Sequence, residues 1–366
     1  MLVIIATGIF WYGLAPVAGA FISRRGWRLF RRRLDMLCLS PALDYAAFCG
    51  DGGIFRFTGE FESLTGGVLW IKNDNLTVSA DLAGAHLYVL PMTGDEFFDP
   101  RREIPERIRM SRISTLTAGA KVFVGGLLAP QNRRRRFVST GENPLLVIFY
   151  DGPDRSLMTR AVRAGRHKNE YWNPVTPYAL TLGALSYIII VFTFLFRPAF
   201  QPAALFAFIA IFTPLLPLLP PGILLTIPYW KLWGQARFFR ASRDLARLPL
   251  KYFPPGETRG RLLNGESYGW ITCKTLAAGI PLLIPGAKPE RRESWYVFGV
   301  PGREADGPAP PEDRFAPYGA LPGEPGLLVR RYRFRALLLE ILSWLFLLAG
   351  IGVNEFFIAM IIHLLS

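Results

Sequence analysis

The chain has 366 residues, 51% of them hydrophobic, and carries a formal net charge of +14. Because the apolar residues are concentrated in a few long blocks, the composition excludes a purely soluble protein and indicates membrane spans joined to polar domains. The three cysteines and three histidines are scattered without CxxC or HExxH spacing, and no phosphate-binding glycine motif occurs. We therefore expect neither a disulfide framework nor a metal or nucleotide cofactor.

The N-terminal segment is predicted to be a membrane anchor. Residues 1–22 are uncharged apart from the amino terminus, and six arginines follow between Arg24 and Arg33. A secretory signal carries its positive charges before the apolar run, so this order favours an uncleaved anchor with its N-terminus outside, although Ala18-Gly19-Ala20 resembles a cleavage site. In residues 23–49 apolar side chains recur at the 3, 4, 3 spacing of one helix face, which predicts a basic helix along the lipid headgroups.

Residues 50–152 have the alternating pattern of β-strands. Turn sequences such as Gly141-Glu142-Asn143-Pro144 separate runs of alternating apolar and polar residues. The predicted strands are 53–61, 67–72, 76–81, 85–91, 120–128, 136–139 and 145–150. Short strands with local turns predict an antiparallel barrel or sandwich. Residues 99–117 are predicted to form a short helix or an exposed loop, and residues 153–170 a juxtamembrane helix.

Two apolar runs, 177–196 and 203–229, are predicted to be the second and third spans. Each is long enough to cross a bilayer as a helix, and the six residues between them permit only a tight hairpin. The second run carries five prolines, so we expect it to be kinked. Such a span is either a gate in a transporter or a bent helix packed in a bundle. Residues 231–248 are predicted to be a second basic amphipathic helix.

Residues 249–333 are rich in proline and glycine, which predicts a small β module with much loop. The predicted strands are 268–276, 294–300 and 327–333, with an extended loop over 301–325. A G-x-S-x-G pattern around Ser267 also occurs in serine hydrolases. The preceding Asn264-Gly265 and the following Trp270-Ile271-Thr272 favour a hairpin and a strand over a catalytic elbow.

The last apolar block, 336–366, is predicted to be the fourth span and contains the polar pair Asn354 and Glu355. If the span begins at Ala336, Glu355 lies at the outer interface, and the last ten residues turn back along the surface or pair with another subunit. If the span is shifted, Glu355 lies in lipid and is expected to line a solute or proton path.

Positive charges at the span ends predict the orientation. Lysine and arginine crowd the inner ends of all four spans under one assignment, whereas the loop between the second and third spans has only Arg197. We therefore expect a multi-pass α-helical membrane protein with four spans and two small mainly-β cytoplasmic domains. Both termini lie outside, and a bacterial inner membrane is the expected location.

Clusters of arginine are the candidate binding residues. They lie beside apolar runs, which favours anionic lipid headgroups over nucleic acid as their partner. Four consecutive arginines on a predicted hairpin tip repel one another unless an anion is present, so this tip either grips a lipid phosphate, an acidic protein or RNA, or is a solvated loop. The candidates are Arg31, Arg32, Arg33, Arg133, Arg134, Arg135, Arg136, Arg240 and Arg243.

The segment Leu116–Leu127, followed by a hairpin, a helix and a span, resembles the membrane-flanked β domain of mulan-type mitochondrial E3 ligases. This family also has relatives in prokaryotes. The resemblance covers residues 1–197 and implies a binding domain of the GIDE or "beside a membrane" type, held flat against a membrane. The ligase activity of that family resides in a C-terminal RING domain, for which this chain has too few cysteines and histidines, so the resemblance does not imply catalysis.

Together these features predict a non-enzymatic membrane scaffold or assembly factor whose cytoplasmic β domains bind a protein at the membrane surface. The expected partner is another membrane or cytoplasmic protein, or a second copy of the chain. The alternative is a subunit of a transporter or channel in which the proline-rich third span and Glu355 form the path. Four spans without an internal repeat would then require an oligomer.

Overall fold

The computed structural model of the chain describes all residues except 51, 91–105, 116, 118, 132–133, 165–171, 255–256, 258, 290–292, 302–307 and 366. The chain divides into two compact units. A helical unit comprises residues 1–29, 169–239 and 334–366, and a β unit comprises residues 30–168 and 240–333.

Eight α-helices occur in the described part of the chain. They are α1 (Leu2–Gly8), α2 (Ala15–Cys38), α3 (Tyr45–Cys49), α4 (Asp154–Ala164), α5 (Thr176–Leu195), α6 (Gln201–Ile211), α7 (Ile223–Arg247) and α8 (Pro325–Leu365). A π-helical segment joins α1 to α2, so that the two form one continuous helix. Three helices are long and apolar enough to cross a membrane, namely Leu2–Cys38, Thr176–Leu195 and Pro325–Ile358. They correspond to the first, second and fourth predicted spans.

The predicted third span, residues 203–229, does not form one helix. It is divided among α6, a 3-10 turn at Thr213–Leu218 and the beginning of α7. Prolines cause the interruption, because each removes a backbone donor and clashes with the preceding turn. Since α6 has only 11 residues, it extends about 16 Å and is too short to cross a bilayer alone.

Two expectations for the C-terminal region are wrong. Residues 327–333, which the sequence pattern predicts as a strand, belong to the first turns of α8. The same helix continues without a break to Leu365, so the segment after Glu355 does not turn back. Leucine and alanine dominate α8, and both are strong helix formers, which outweighs the alternation seen over seven residues.

The first sheet of the β unit has eight strands. They are β1 (Gly53–Thr65), β2 (Val68–Lys72), β3 (Thr77–Asp81), β4 (His86–Leu90), β5 (Glu106–Arg107), β6 (Lys121–Gln131), β7 (Arg134–Val138) and β8 (Leu146–Tyr150). All seven strands that the sequence predicts in this region are present. The sequence does not predict the short β5, because two residues are too few to show an alternating pattern of apolar and polar side chains.

Five of these strands close into a barrel in the order β1, β2, β3, β7, β6 and back to β1. The β3–β7 pair is parallel and the other pairs of the barrel are antiparallel. This is the strand order of an OB-type Greek-key barrel. Beyond the barrel, β8 pairs with β6 and lies parallel to β4. Of the two predicted alternatives, barrel and sandwich, the closed sheet corresponds to the barrel, but two strand pairs of the sheet are parallel rather than antiparallel.

Alternation along the strands builds the barrel core. Val122 and Val124 of β6 point inwards, as do Val147 and Phe149 of the neighbouring β8. Phe123, between the two valines, points to the other face, where its ring meets that of Phe315 at 5.3 Å between centroids. The sheet therefore buries both faces, one in the barrel and one under the segments that cover it.

The second sheet contains four antiparallel strands in the order β12, β11, β10, β9. Their bounds are β9 (Arg259–Arg261), β10 (Ser267–Cys273), β11 (Trp295–Gly299) and β12 (Gly319–Pro322). The sequence predicts β10 and β11 but not the two shorter edge strands. The composition of this region predicts a separate module, whereas the structure places both sheets in the same compact unit.

Candidate functional site

The break between α6 and α7 is held by a side chain from α8. The Asn354 amide oxygen accepts a hydrogen bond from the Gly222 N–H at 3.1 Å, and its amide nitrogen donates to the carbonyls of Leu216 and Leu219, the latter at 2.9 Å. Only 3% of Asn354 is exposed. Backbone groups freed by the prolines are thus satisfied internally, as an apolar environment requires.

Helices α7 and α8 run antiparallel from this point. Gly350 of α8 lies close to Leu225 of α7, and the Trp344 ring of α8 packs edge-on against the Trp233 ring of α7. Four residues after Trp233, the Arg237 guanidinium contacts α8 again. Asn354 and Glu340, at the two ends of this contact, are about 21 Å apart along the helix axis. Residues 223–239 of α7 therefore extend beside α8 over a length that is most of the thickness of a hydrocarbon core.

A buried ion pair lies at the other end of this helix contact. The Arg237 guanidinium donates to the Glu340 carboxylate at 2.8 Å, and the Arg237 side chain is only 2% exposed. The same guanidinium lies over the Trp233 ring, 4.2 Å from its centroid. The pair neutralises two charges among apolar helices, and removing either partner alone would leave an uncompensated buried charge.

Glu355, the other polar residue predicted at membrane depth, points away from the break. It is exposed, whereas its neighbour Asn354 is buried. Of the two residues, the structure therefore uses Asn354 to hold the helices together and leaves the Glu355 carboxylate on the surface of the helical unit.

In the β unit, a buried ion pair joins the two sheets. The Arg56 guanidinium on β1 meets the Asp313 carboxylate at 2.8 Å, and these side chains are only 6% and 11% exposed. Arg56 also donates to the Cys38 carbonyl at 2.6 Å and lies over the Phe315 ring. The loop before β12 is thereby tied to the barrel and to the end of α2.

A second polar junction centres on Asp154, the first residue of α4. Its carboxylate accepts hydrogen bonds from Tyr150 and Arg314 at 3.0 Å and from Lys121 at 3.1 Å. Burial opposes ionisation, but the hydrogen bonds from Arg314, Lys121 and Tyr150 outweigh it and keep the pKa of Asp154 below its ordinary value. Lys121 and Tyr150 belong to the first sheet, and Arg314 belongs to the loop that leads to the second.

A cavity of about 520 Å³ lies beside these junctions, within the β unit. It is lined by five segments, namely the loop after α2, strand β1, the β2–β3 turn, the β9–β10 turn and the loop before β12. Its walls combine the carboxylates of Asp44 and Glu312, the hydroxyl of Thr58, the guanidinium of Arg314 and the exposed side chain of Leu263. This size and mixture of groups is typical of a binding site.

The predicted arginines fall into two groups. Arg31 is 8% exposed and thus buried, Arg135 donates to the Phe48 carbonyl at 2.9 Å, and Arg243 pairs with Asp244 at 2.6 Å. These guanidinium groups are engaged within the protein. Arg32 and Arg134 are exposed, and Arg33, Arg136 and Arg240 are half-buried. Arg133 lies outside the described residues.

The geometry around Ser267 agrees with the predicted strand. Gly265 occupies the turn with a positive φ of 85°, and Ser267 begins β10. A strand places the serine on a sheet rather than on the strand-to-helix elbow that presents a nucleophile. Among the residues that the structure describes, no group of three or more His, Cys, Asp or Glu side chains is arranged to hold a metal ion.

Sequence reasoning missed the junction residues Arg56, Asp154 and Asp313 and the helix pair Arg237–Glu340. Each is a single charge in a segment whose pattern otherwise indicates a strand, a turn or a helix. The Glu340 carboxylate within an apolar block is the one clear signal, because a charge at that depth requires a partner.

Comparison with known proteins found no matching family model, no matching curated protein and no matching solved structure.

Proposed function

We propose that the protein is an integral membrane scaffold or assembly factor, without enzymatic activity, whose β unit binds another protein at the membrane surface. The observation that carries this proposal is the cavity between the two sheets, which five separate chain segments line. The buried Arg56–Asp313 ion pair on its wall holds β1 against the loop before β12, and a preformed cavity is what a binding site requires.

The membrane location is supported by the three long apolar helices and by the arginines that flank them. In the proposed topology both termini lie outside a bacterial inner membrane and the β unit lies in the cytoplasm. Helix α7, running antiparallel to α8, takes the place of the predicted third span, while α6 enters the bilayer only part of the way. The exposed arginines beside the helices contact anionic headgroups.

Site-specific photocrosslinking tests the partner-binding role. A photoreactive amino acid replaces Leu263, which lines the cavity and is 61% exposed, and the matched control replaces Met110, an exposed residue of the same unit outside the cavity. We expect one discrete protein adduct from position 263 and none from position 110. A Thr58→Trp substitution, which fills the cavity, should abolish the adduct without lowering the melting temperature by more than a few degrees.

Two results would contradict this role. One is a chain that leaves the membrane in mild detergent as a lone, monodisperse species and yields no adduct from position 263. The other is an adduct that persists unchanged in the Thr58→Trp variant, because the contact would then lie elsewhere.

A transporter subunit is the second candidate, favoured by the interruption between α6 and α7. Discontinuous helices form the substrate sites of many transporters. In this chain the hydrogen bonds of Asn354 occupy the freed backbone groups, which leaves the exposed Glu355 as the candidate path residue. Glu355→Gln should then abolish solute or proton flux into liposomes that hold the protein, and no flux with the natural chain would exclude this function.

A further inference from the structure

Side chains that can donate N–H hydrogen bonds gather on one face of the β4–β5 pair. Leu87 of β4 and Ile108, just after β5, point into the barrel core. Because side chains alternate along a strand, His86 and Tyr88 point to the opposite face. Arg107 is the direct cross-strand partner of Tyr88 and so shares that face with it. Two elements therefore place His86 and Arg107 around the Tyr88 ring.

Helix α2 adds a second arginine to this face. The Phe30 ring lies 4.4 Å from that of Tyr88, and Leu34 is completely buried one turn further along the helix. Arg33 is three residues from Phe30 and thus lies on nearly the same side of α2. Its guanidinium is close enough to interact with both Tyr88 and His86.

The shifts in the pKa of His86 and Tyr88 agree with the proximity of these groups. Burial lowers the pKa of His86, and Arg33 and Arg107 lower it further. Burial raises the pKa of the Tyr88 phenol, and the same two arginines oppose that rise. Within the part of the chain that the structure describes, the side chains of Arg33, His86 and Arg107 have no hydrogen bond or ion pair to protein. The two guanidinium groups near the imidazole repel one another unless an anion joins them.

We propose that Arg33, His86 and Arg107 form a binding site for a phosphate group, with the Tyr88 hydroxyl as an additional donor. Guanidinium groups bind phosphate oxygens through paired, charge-assisted hydrogen bonds, and imidazole supplies a further N–H. Arg107 is exposed and Arg33 and His86 are half-buried, so the donors are accessible from solvent. The ligand is either the phosphate of an anionic lipid or a soluble phosphate, and only the lipid source rests on the proposed membrane location.

Binding measurements on the full chain in neutral detergent test this site. One arm measures retention of phosphatidylglycerol against phosphatidylcholine by native mass spectrometry. The other arm measures the rise in melting temperature on adding inorganic phosphate at constant ionic strength. The test variant is Arg33→Gln with Arg107→Gln. The matched control is Arg259→Gln with Arg261→Gln, which removes the same charge from exposed positions of β9.

We expect the test variant to bind at least one of the two probes about tenfold more weakly or worse than the natural chain, since two charge-assisted contacts are lost. The control should differ less than about twofold, as expected for exposed charges. Loss confined to phosphatidylglycerol identifies a lipid site, and loss confined to inorganic phosphate identifies a soluble ligand. Equal losses in both variants, or no binding of either probe by the natural chain, would overturn the proposal.

Two further measurements keep the outcome interpretable. If the double variant does not fold, Arg107→Gln alone, at an exposed position, serves as the test. Photocrosslinking from position 263 should be the same in the phosphate-site variants as in the natural chain, because that cavity has a separate set of lining residues. The failure of one proposal can thus be distinguished from the failure of the other.

Discussion

At the scale of single residues, Asn354 has the most demanding position in the helical unit. Its side chain, only 3% exposed, satisfies the Gly222 N–H and the carbonyls of Leu216 and Leu219. Asn354→Leu keeps the volume but leaves these groups unpaired, so we expect the free energy of unfolding to fall by about 2–4 kcal/mol. Chemical unfolding in detergent measures this free energy of unfolding. Glu355→Gln, at the exposed neighbouring position, is the control and should change it by less than about 0.5 kcal/mol.

Asp154 makes the folding stability of the protein depend on pH. Its folded-state pKa is below the ordinary value of 3.8, so its contribution is fully present above about pH 4 and is lost as the pH falls through the folded pKa. The melting temperature of the natural chain should therefore fall as the pH falls below 4. The Asp154→Asn variant should have a lower melting temperature than the natural chain at pH 7, but its melting temperature should fall less on acidification. Asp74→Asn, at an exposed turn, should follow the natural chain, and an unchanged acid response in Asp154→Asn would exclude this role.

At the scale of helices, close packing in the helical unit depends on Gly183 of α5. A Cβ atom there would lie 2.5 Å from the Cε1 atom of the Tyr12 ring and 2.9 Å from the Cβ of Trp11. Gly183→Ala should push the first helix away from α5 and lower stability by about 1–3 kcal/mol. Gly352 of α8 has no atom within 4 Å of the same position, so Gly352→Ala should be neutral or raise stability by up to about 1 kcal/mol. Equal thermal shifts for the two variants would contradict this packing.

The elements differ in how far their sequences predict them. The strands of the barrel are predictable because alternation is a local signal, and three long apolar helices are predictable because an uninterrupted apolar run of bilayer length is rare in soluble domains. The prolines of the predicted third span are a local signal for its interruption, but the hydrogen bonds that stabilise the break come from Asn354, which lies more than 130 residues after it. The junction of the sheets depends on Arg56 and Asp313, and a single long-range charge pair leaves no periodic signal in either segment.

At the scale of the whole molecule, the union of both sheets in one unit requires them to lie on one side of the membrane. Cys49 is exposed and Cys273 half-exposed, one in each half of the β unit, whereas Cys38 is buried and out of reach of a label. A membrane-impermeant maleimide should label both accessible thiols in inverted vesicles and neither in right-side-out vesicles. Phe200→Cys, in the α5–α6 loop, should show the reverse, since that loop is predicted to lie outside. Labelling of Cys49 and Cys273 from opposite sides would contradict a single β unit, because a buried ion pair between the sheets cannot span a bilayer.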